Sequence, residues 1–107
     1  MLIVTTPFVT GKAEGDLITL GLVCGSVVQS KHFGRDIMAG LKTIVGGELK
    51  GYTEMLTEAR QIALQRMSDE AARMGADAVV MASFATSSVM DGAAEIMAYG
   101  TAVRFAG

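Results

Sequence analysis

Ala71-Ala72-Arg73-Met74-Gly75-Ala76-Asp77-Ala78-Val79-Val80 is the stretch on which the fold turns. Behind it, Leu56, Ala59, Ala63, Met67 and Met74 recur at helical spacing, flanked by Met55 and Ile62. That periodicity predicts an amphipathic helix over Tyr52–Met74. Gly75 closes the helix, because glycine accepts a left-handed conformation without steric cost. From Ala76 the residues turn into a strand continuing towards Met90. Asp91-Gly92 is a strong hairpin signal, and Ala93–Phe105 returns as the partner strand. At about 100° per residue, Arg66 and Glu70 also fall within the helical stripe. Either the helix end overruns its sheet and is solvated there, or the pair meets another subunit.

Upstream, Leu2–Thr6 is a short β-prone run that Pro7 ends or places at an edge. Gly11-Lys12-Ala13-Glu14-Gly15-Asp16 reads as a turn. Leu17–Val28 follows as a long strand containing Gly21 and Gly25, which mark bulges or close backbone approach. A twisted strand lying against a neighbouring subunit would need such positions. Ser30 is a plausible N-cap for a helix from Lys31 to Val45, with Phe33, Ile37, Leu41 and Ile44 on one face. Arg35 and Lys42 share the opposite face, and Gly46-Gly47 stops the helix. The order strand, strand, helix, helix, strand, strand predicts an α+β fold. It is read as a two-layer sandwich, a mainly antiparallel sheet with helices on one face.

A length of 107 residues reads as a single domain, 1–107. Thirteen of the twenty charged residues lie between Lys31 and Ala76, leaving both flanks nearly uncharged. Charged residues make up 19% of the chain, and mean hydropathy is +0.42. An ordinary soluble domain carries about 25% charged residues. The flanks therefore look too apolar for a lone small domain, and some of that surface is expected to face another subunit. A net charge of −2 argues against general nucleic-acid binding. No stretch approaches the length of a membrane span, and the N-terminus lacks the marks of a signal peptide. The lone Cys24 cannot form an internal disulfide, consistent with a reducing, cytoplasmic setting. Eight Met and no Trp predict a soft core.

Several of these segments stand in a recognisable order. They are Arg35-Asp36, Ala39-Gly40-Leu41-Lys42, Gly46-Gly47-Glu48 and Tyr52, then Ala59-Arg60, Gly75–Val80 and Ala98-Tyr99-Gly100-Thr101-Ala102-Val103. Over nearly the whole chain they resemble the YbjQ-like family of small bacterial and archaeal proteins. The resemblance implies a subunit akin to the dodecin subunit, assembled into a ring, typically a homopentamer. It brings a label of heavy-metal binding and no established reaction. By fold analogy alone an aromatic cofactor such as a flavin is a variant. Tyr52, Tyr99 and four Phe leave little for it to stack on.

Ligand chemistry tests the metal label. A closed zinc site needs about four Cys, His or carboxylate ligands. This chain offers Cys24 and His32 alone of the first two types, with no paired motif. Five copies of one residue at a ring axis are the remaining route, and soft ions would favour Cys24 with help from Met. Otherwise Cys24 reads as a small buried hydrophobe in its strand. His32 with Asp36 at i+4 has the elements of a general base and its partner; the plainer reading is a solvated first-turn histidine.

Arg35, Asp36, Arg60, Asp77 and Glu95 are the ligand or interface candidates. Glu95 sits in the apolar run Ala93–Ala98, where an unpaired buried charge is costly, so it should reach solvent or a cation such as Arg35 or Arg60. Structural pairing at subunit contacts is the first reading of this set, and an anion pocket the second. Gly46-Gly47 lacks the Lys-Ser or Lys-Thr of a phosphate loop. The leading expectation is a non-enzymatic, ring-forming protein that binds a ligand or a heavy-metal ion at subunit interfaces. The alternatives are an enzyme with an inter-subunit site using His32, Asp36 and Arg35, and a purely structural scaffold.

Overall fold

A computed structural model describes residues 1–29, 50–90 and 93–107. Strands β1 (Leu2–Ile3), β2 (Leu17–Gln29), β3 (Ala78–Met90) and β4 (Ala93–Phe105) form one sheet in the order β1-β3-β4-β2. Helix α1 (Lys50–Arg73) packs on one face of it. The fold is α+β, as the element order predicts. The helix expected over 31–45, its Ser30 cap, the Gly46-Gly47 stop and the Asp91-Gly92 turn lie outside the described residues. So do His32, Arg35 and Asp36.

The sheet is mixed. β2 and β3 both run antiparallel to β4, while β1 runs parallel to β3 with Leu2 opposite Ala78. The first strand is shorter than Leu2–Thr6 because β3 departs from regular geometry beside it. Met81 has a φ of 54°, and β3 carries one extra residue between Val80 and Ser83. The chain keeps contact there through single bonds, Ala82 N–H to Val4 O (2.9 Å) and Met81 N–H to Thr6 O (3.0 Å).

Helix α1 stops where its sequence says. Gly75 has a φ of 83°, Gly75 N–H donates to Ala72 O (3.0 Å), and Ala76 N–H donates to Ala71 O (3.0 Å). That bond pair is the Schellman motif, which answers the last carbonyls and swings the chain towards β3. The buried stripe is Met55, Ala59, Ala63, Met67 and Ala71. It is rotated from the expected one: Leu56 and Met74 are partly open to solvent. The cause is how closely helix and sheet approach. A Cβ on Gly25 would fall inside the helix backbone at Met67 N and Ala63 O. Facing Gly25 across the ladder is Ala98, fully buried. Only small residues fit this contact, so alanine lines it where hydrophobicity alone favours leucine. Gly25 thus serves the chain's own helix, and no neighbouring subunit is needed to explain it.

Val23, Ala63, Met67, Ala71, Val79, Ala98 and Ala102 make the main core under α1. A second cluster lies on the opposite face, where Val9 packs on Ala78, Val80 and Val103. Ala106 N–H to Asp16 O (2.9 Å) holds the N-terminal loop against the end of β4. The chain is long for its size, 56 Å in its greatest extent, with a Cα radius of gyration of 17.2 Å. A compact domain of this length has a radius of about 13 Å.

Candidate functional site

Each long strand sends alternate residues to opposite faces. On β4, Ile96, Ala98, Gly100 and Ala102 are buried, whereas Glu95, Met97, Tyr99 and Thr101 are half-buried. The register sets Leu22 opposite Thr101, Cys24 opposite Tyr99, Ser26 opposite Met97 and Val28 opposite Glu95. On the other flank, Ser83, Ala85 and Ser87 face Tyr99, Met97 and Glu95. These residues share the sheet face turned away from α1. Val9 and its neighbours cover that face at the Ala78–Val103 end, and beyond them no described residue covers it.

Cys24 lies in the middle of this open face and is exposed. The expectation of a buried hydrophobe fails for a local reason. Thr19 pairs with Val103 but Gly21 pairs with Ala102, so β2 carries one extra residue between them. Such a bulge inverts the alternation beyond it. Val23 and Gly25 turn under the helix, and Leu22, Cys24 and Val28 turn out. Gly21, with a φ of 139°, supplies the backbone freedom the bulge needs.

The candidate charges are not gathered into one site. Arg60 is exposed on α1, and its guanidinium donates to the Thr57 hydroxyl at 3.4 Å. Asp77 does structural work at the end of the sheet. Its Oδ2 accepts Phe105 N–H (2.7 Å), and its own N–H donates to Val103 O (2.8 Å). Glu95 lies on the face opposite the helix, so Arg60 of the same chain does not pair with it. The Arg66–Glu70 pair also separates. Arg66 Nη1 donates to Ser26 O (2.5 Å), while Glu70 pairs with Arg73 (2.7 Å).

Among the described residues no three of His, Cys, Asp and Glu converge as metal ligands. Cys24 and Met97 are diagonal neighbours on the open face, about 7–8 Å apart in such a ladder. Two soft donors at that spacing do not complete a metal site, so the described residues of one chain do not fit a resident ion. Leu22, Val28 and Met97 are among the members of this face that the sequence reading did not single out. The signal for the β4 part of the face is the contrast along that strand, small side chains at 98, 100 and 102 and larger ones at 97 and 99. No described helix is long and apolar enough to cross a membrane.

Among the described residues, fold and face together define a small α+β chain whose sheet is packed against a helix on one side and uncovered over most of the other. Comparison with known proteins bears on the fold and the family. Residues 1–106 match the family model described as "Putative heavy-metal-binding". The chain belongs to this family, the YbjQ-like or UPF0145 proteins. It is 61% identical over 104 residues to a UPF0145 protein of Photobacterium profundum, covering 97% of this chain and 99% of that one. A Vibrio campbellii relative is 59% identical, over 97% and 98% of the two chains. One from Thermotoga petrophila is also 59% identical, over 97% and 96%. Among solved structures, a DUF74 family protein of unknown function from Pediococcus pentosaceus shares the fold. The TM-score is 0.66 at 14% identity, covering 98% of this chain and 97% of that one.

Proposed function

We propose that this protein is a non-enzymatic, self-assembling binding protein, a homopentameric ring in which subunits meet around a ligand. A soft heavy-metal ion is the first candidate for that ligand. The observation that carries the reading is the placement of Cys24. The chain's one thiol lies exposed on an open sheet face, with no second strong ligand beside it among the described residues. Coordination of a soft ion would therefore draw thiolates from more than one copy. A reducing, cytoplasmic setting suits a lone free thiol of this kind.

The test is native mass spectrometry of untagged protein prepared without chelators, followed by metal analysis and cadmium titration. The expected result is a ring taking up cadmium in a fixed ratio to subunits, with uptake abolished by Cys24→Ala. A ring that takes up none would leave a structural scaffold. Undiminished uptake by Cys24→Ala would remove the thiol from the site. Turnover lost in Asp36→Ala with ligand affinity retained would replace this reading with an enzyme.

A further inference from the structure

We infer that the distal half of β3 is a two-register element, which slides by one residue along β4 and so carries Phe84 from the helix side of the sheet to the opposite face.

The pairing of the two strands shows how the slide is built in. Ala78, Val79 and Val80 pair with Val103, Ala102 and Thr101, but Ser83 pairs with Tyr99, so β3 holds one extra residue between them. A second extra residue lies between the Ser88–Ala94 and Met90–Ala93 pairs. Ser83–Ser88 is thus one step out of phase with the strand before it. Moving it back by that step sets Ser83 opposite Ala98, Phe84 opposite Met97 and Thr86 opposite Glu95. The first irregularity then disappears, and the second passes into the connection between the strands. The residues left between paired ends grow from two, after Met90, to four, after Ser88, and both are common hairpin lengths.

Met81 carries a strain that the slide releases. Its φ of 54° is a left-handed conformation, costly for a residue with a Cβ. Met81 is surplus to β1 as well. Val4 N–H donates to Val79 O, yet Val4 O accepts from Ala82 N–H, where the even spacing of a parallel ladder calls for Met81. The Met81 side chain is exposed, so burial does not hold the residue in place.

The side chains make the two registers close in energy. A one-residue slip turns every side chain to the other face, and register is weakly specified where both faces are small or polar. Here Ser83, Ala85 and Ser87 exchange places with Phe84, Thr86 and Ser88. Phe84 is the one large side chain among them, and it is 43% exposed where it stands. Val89 and Met90, which leave the ladder, are exposed already. Ala78, Val79 and Val80 are buried and keep their places. The shifted register is the minor one, at a population of about 0.1–10%.

Disulfide trapping in a Cys24→Ala background reads both registers. Ser87→Cys with Glu95→Cys reports the register described above. Thr86→Cys with Glu95→Cys reports the shifted one, because those positions now lie on opposite faces and cannot be bridged. Ser88→Cys with Glu95→Cys controls for fraying, since it needs a slide in the other direction. The expected order is a fast link from 87, a slower one from 86 and none from 88. Met81→Gly relieves the strain and should slow the link from 86 by about 5–30-fold. Met81→Val should speed it, because a β-branched residue resists positive φ. All variants should keep the wild-type far-ultraviolet circular dichroism.

Fluorine NMR of otherwise wild-type protein labelled with 4-fluorophenylalanine gives a second readout. The Phe84 resonance, assigned by its loss in Phe84→Leu, should show microsecond-to-millisecond exchange that Met81→Gly suppresses. This measurement needs no added cysteine, and it decides alone where a double variant fails to fold. Equal rates from 86 and 88 would assign the link to fraying and overturn the inference. A link from 86 that ignores the residue at 81, or a Phe84 resonance free of exchange, would overturn it too, leaving β3 in one register.

Discussion

Arg66 Nη1 donates a hydrogen bond of 2.5 Å to the main-chain oxygen of Ser26, tying the outer side of α1 to the edge strand of the sheet. A guanidinium on a carbonyl is a charge-assisted bond, and this one spans forty residues of sequence. It also places a cation beside an edge strand, a recurrent protection against unplanned strand pairing. Arg66→Ala should lower stability by about 1 kcal/mol, at the modest end for such bonds because the site is exposed. It should also raise light scattering on heating. An unchanged denaturation midpoint in urea would mean that the bond contributes nothing in solution.

Gly25 and Gly15 form an internally controlled pair. A Cβ at Gly25 would collide with helix backbone, whereas a Cβ at Gly15 meets nothing within 4 Å. Gly25→Ala should destabilise by about 1–3 kcal/mol or more, because backbone cannot step aside as a flexible side chain can. Gly15→Ala should stay within about 0.5 kcal/mol of wild type. Equal effects at the two positions would contradict the close helix–sheet contact.

Truncation along α1 distinguishes the buried stripe from the one that hydrophobicity alone favours. Met67 is fully buried, and Met67→Ala should cost about 2–5 kcal/mol. Leu56 is 36% exposed, and Leu56→Ala should cost markedly less. A reversal of that order in chemical denaturation would rotate the helix back to the expected face.

Asp77 separates a structural role from a ligand role. Asp77→Ala removes the acceptor of Phe105 N–H and should cost about 1–2 kcal/mol. Asp77→Asn keeps an acceptor oxygen and should cost less. Neither should change cadmium uptake by folded protein; a selective loss of uptake would return Asp77 to the ligand set.

Much of the fold is legible from local signals. The Gly75 stop fixes the C-terminal end of α1 to within a residue, and Ala93–Phe105 has the bounds expected of the strand returning after Asp91-Gly92. These features depend on residues a few positions apart, and sequence displays them directly. The facing of Cys24 does not follow from its neighbours. It depends on the register between β2 and β4, a relation between segments some eighty residues apart. The alanine stripe is concealed for a similar reason, since its size requirement comes from Gly25 on another element. Candidate charges were legible as residues that need partners, but proximity is tertiary. Asp77 found Phe105 and Arg66 found Ser26, neither being a pairing that charge alone suggests.

The extra residue in β2 and the first of two in β3 lie opposite the same short span of β4, Tyr99 to Val103; the second in β3 falls near its end, between Ser88 and Met90. β2 is thereby out of phase with itself on the two sides of its step, and β3 between its two steps, while β4 supplies the reference register for both. The count of residues between Leu17 and Val28 consequently carries as much information as their chemistry. Removing a single residue at the Gly21 step would change no hydrophobic content, yet it would turn the rest of β2 inside out. Leu22, Cys24 and Val28 would be driven under the helix and Gly25 sent to the surface. Such a chain would keep the composition of this protein while exchanging its interior for its exterior.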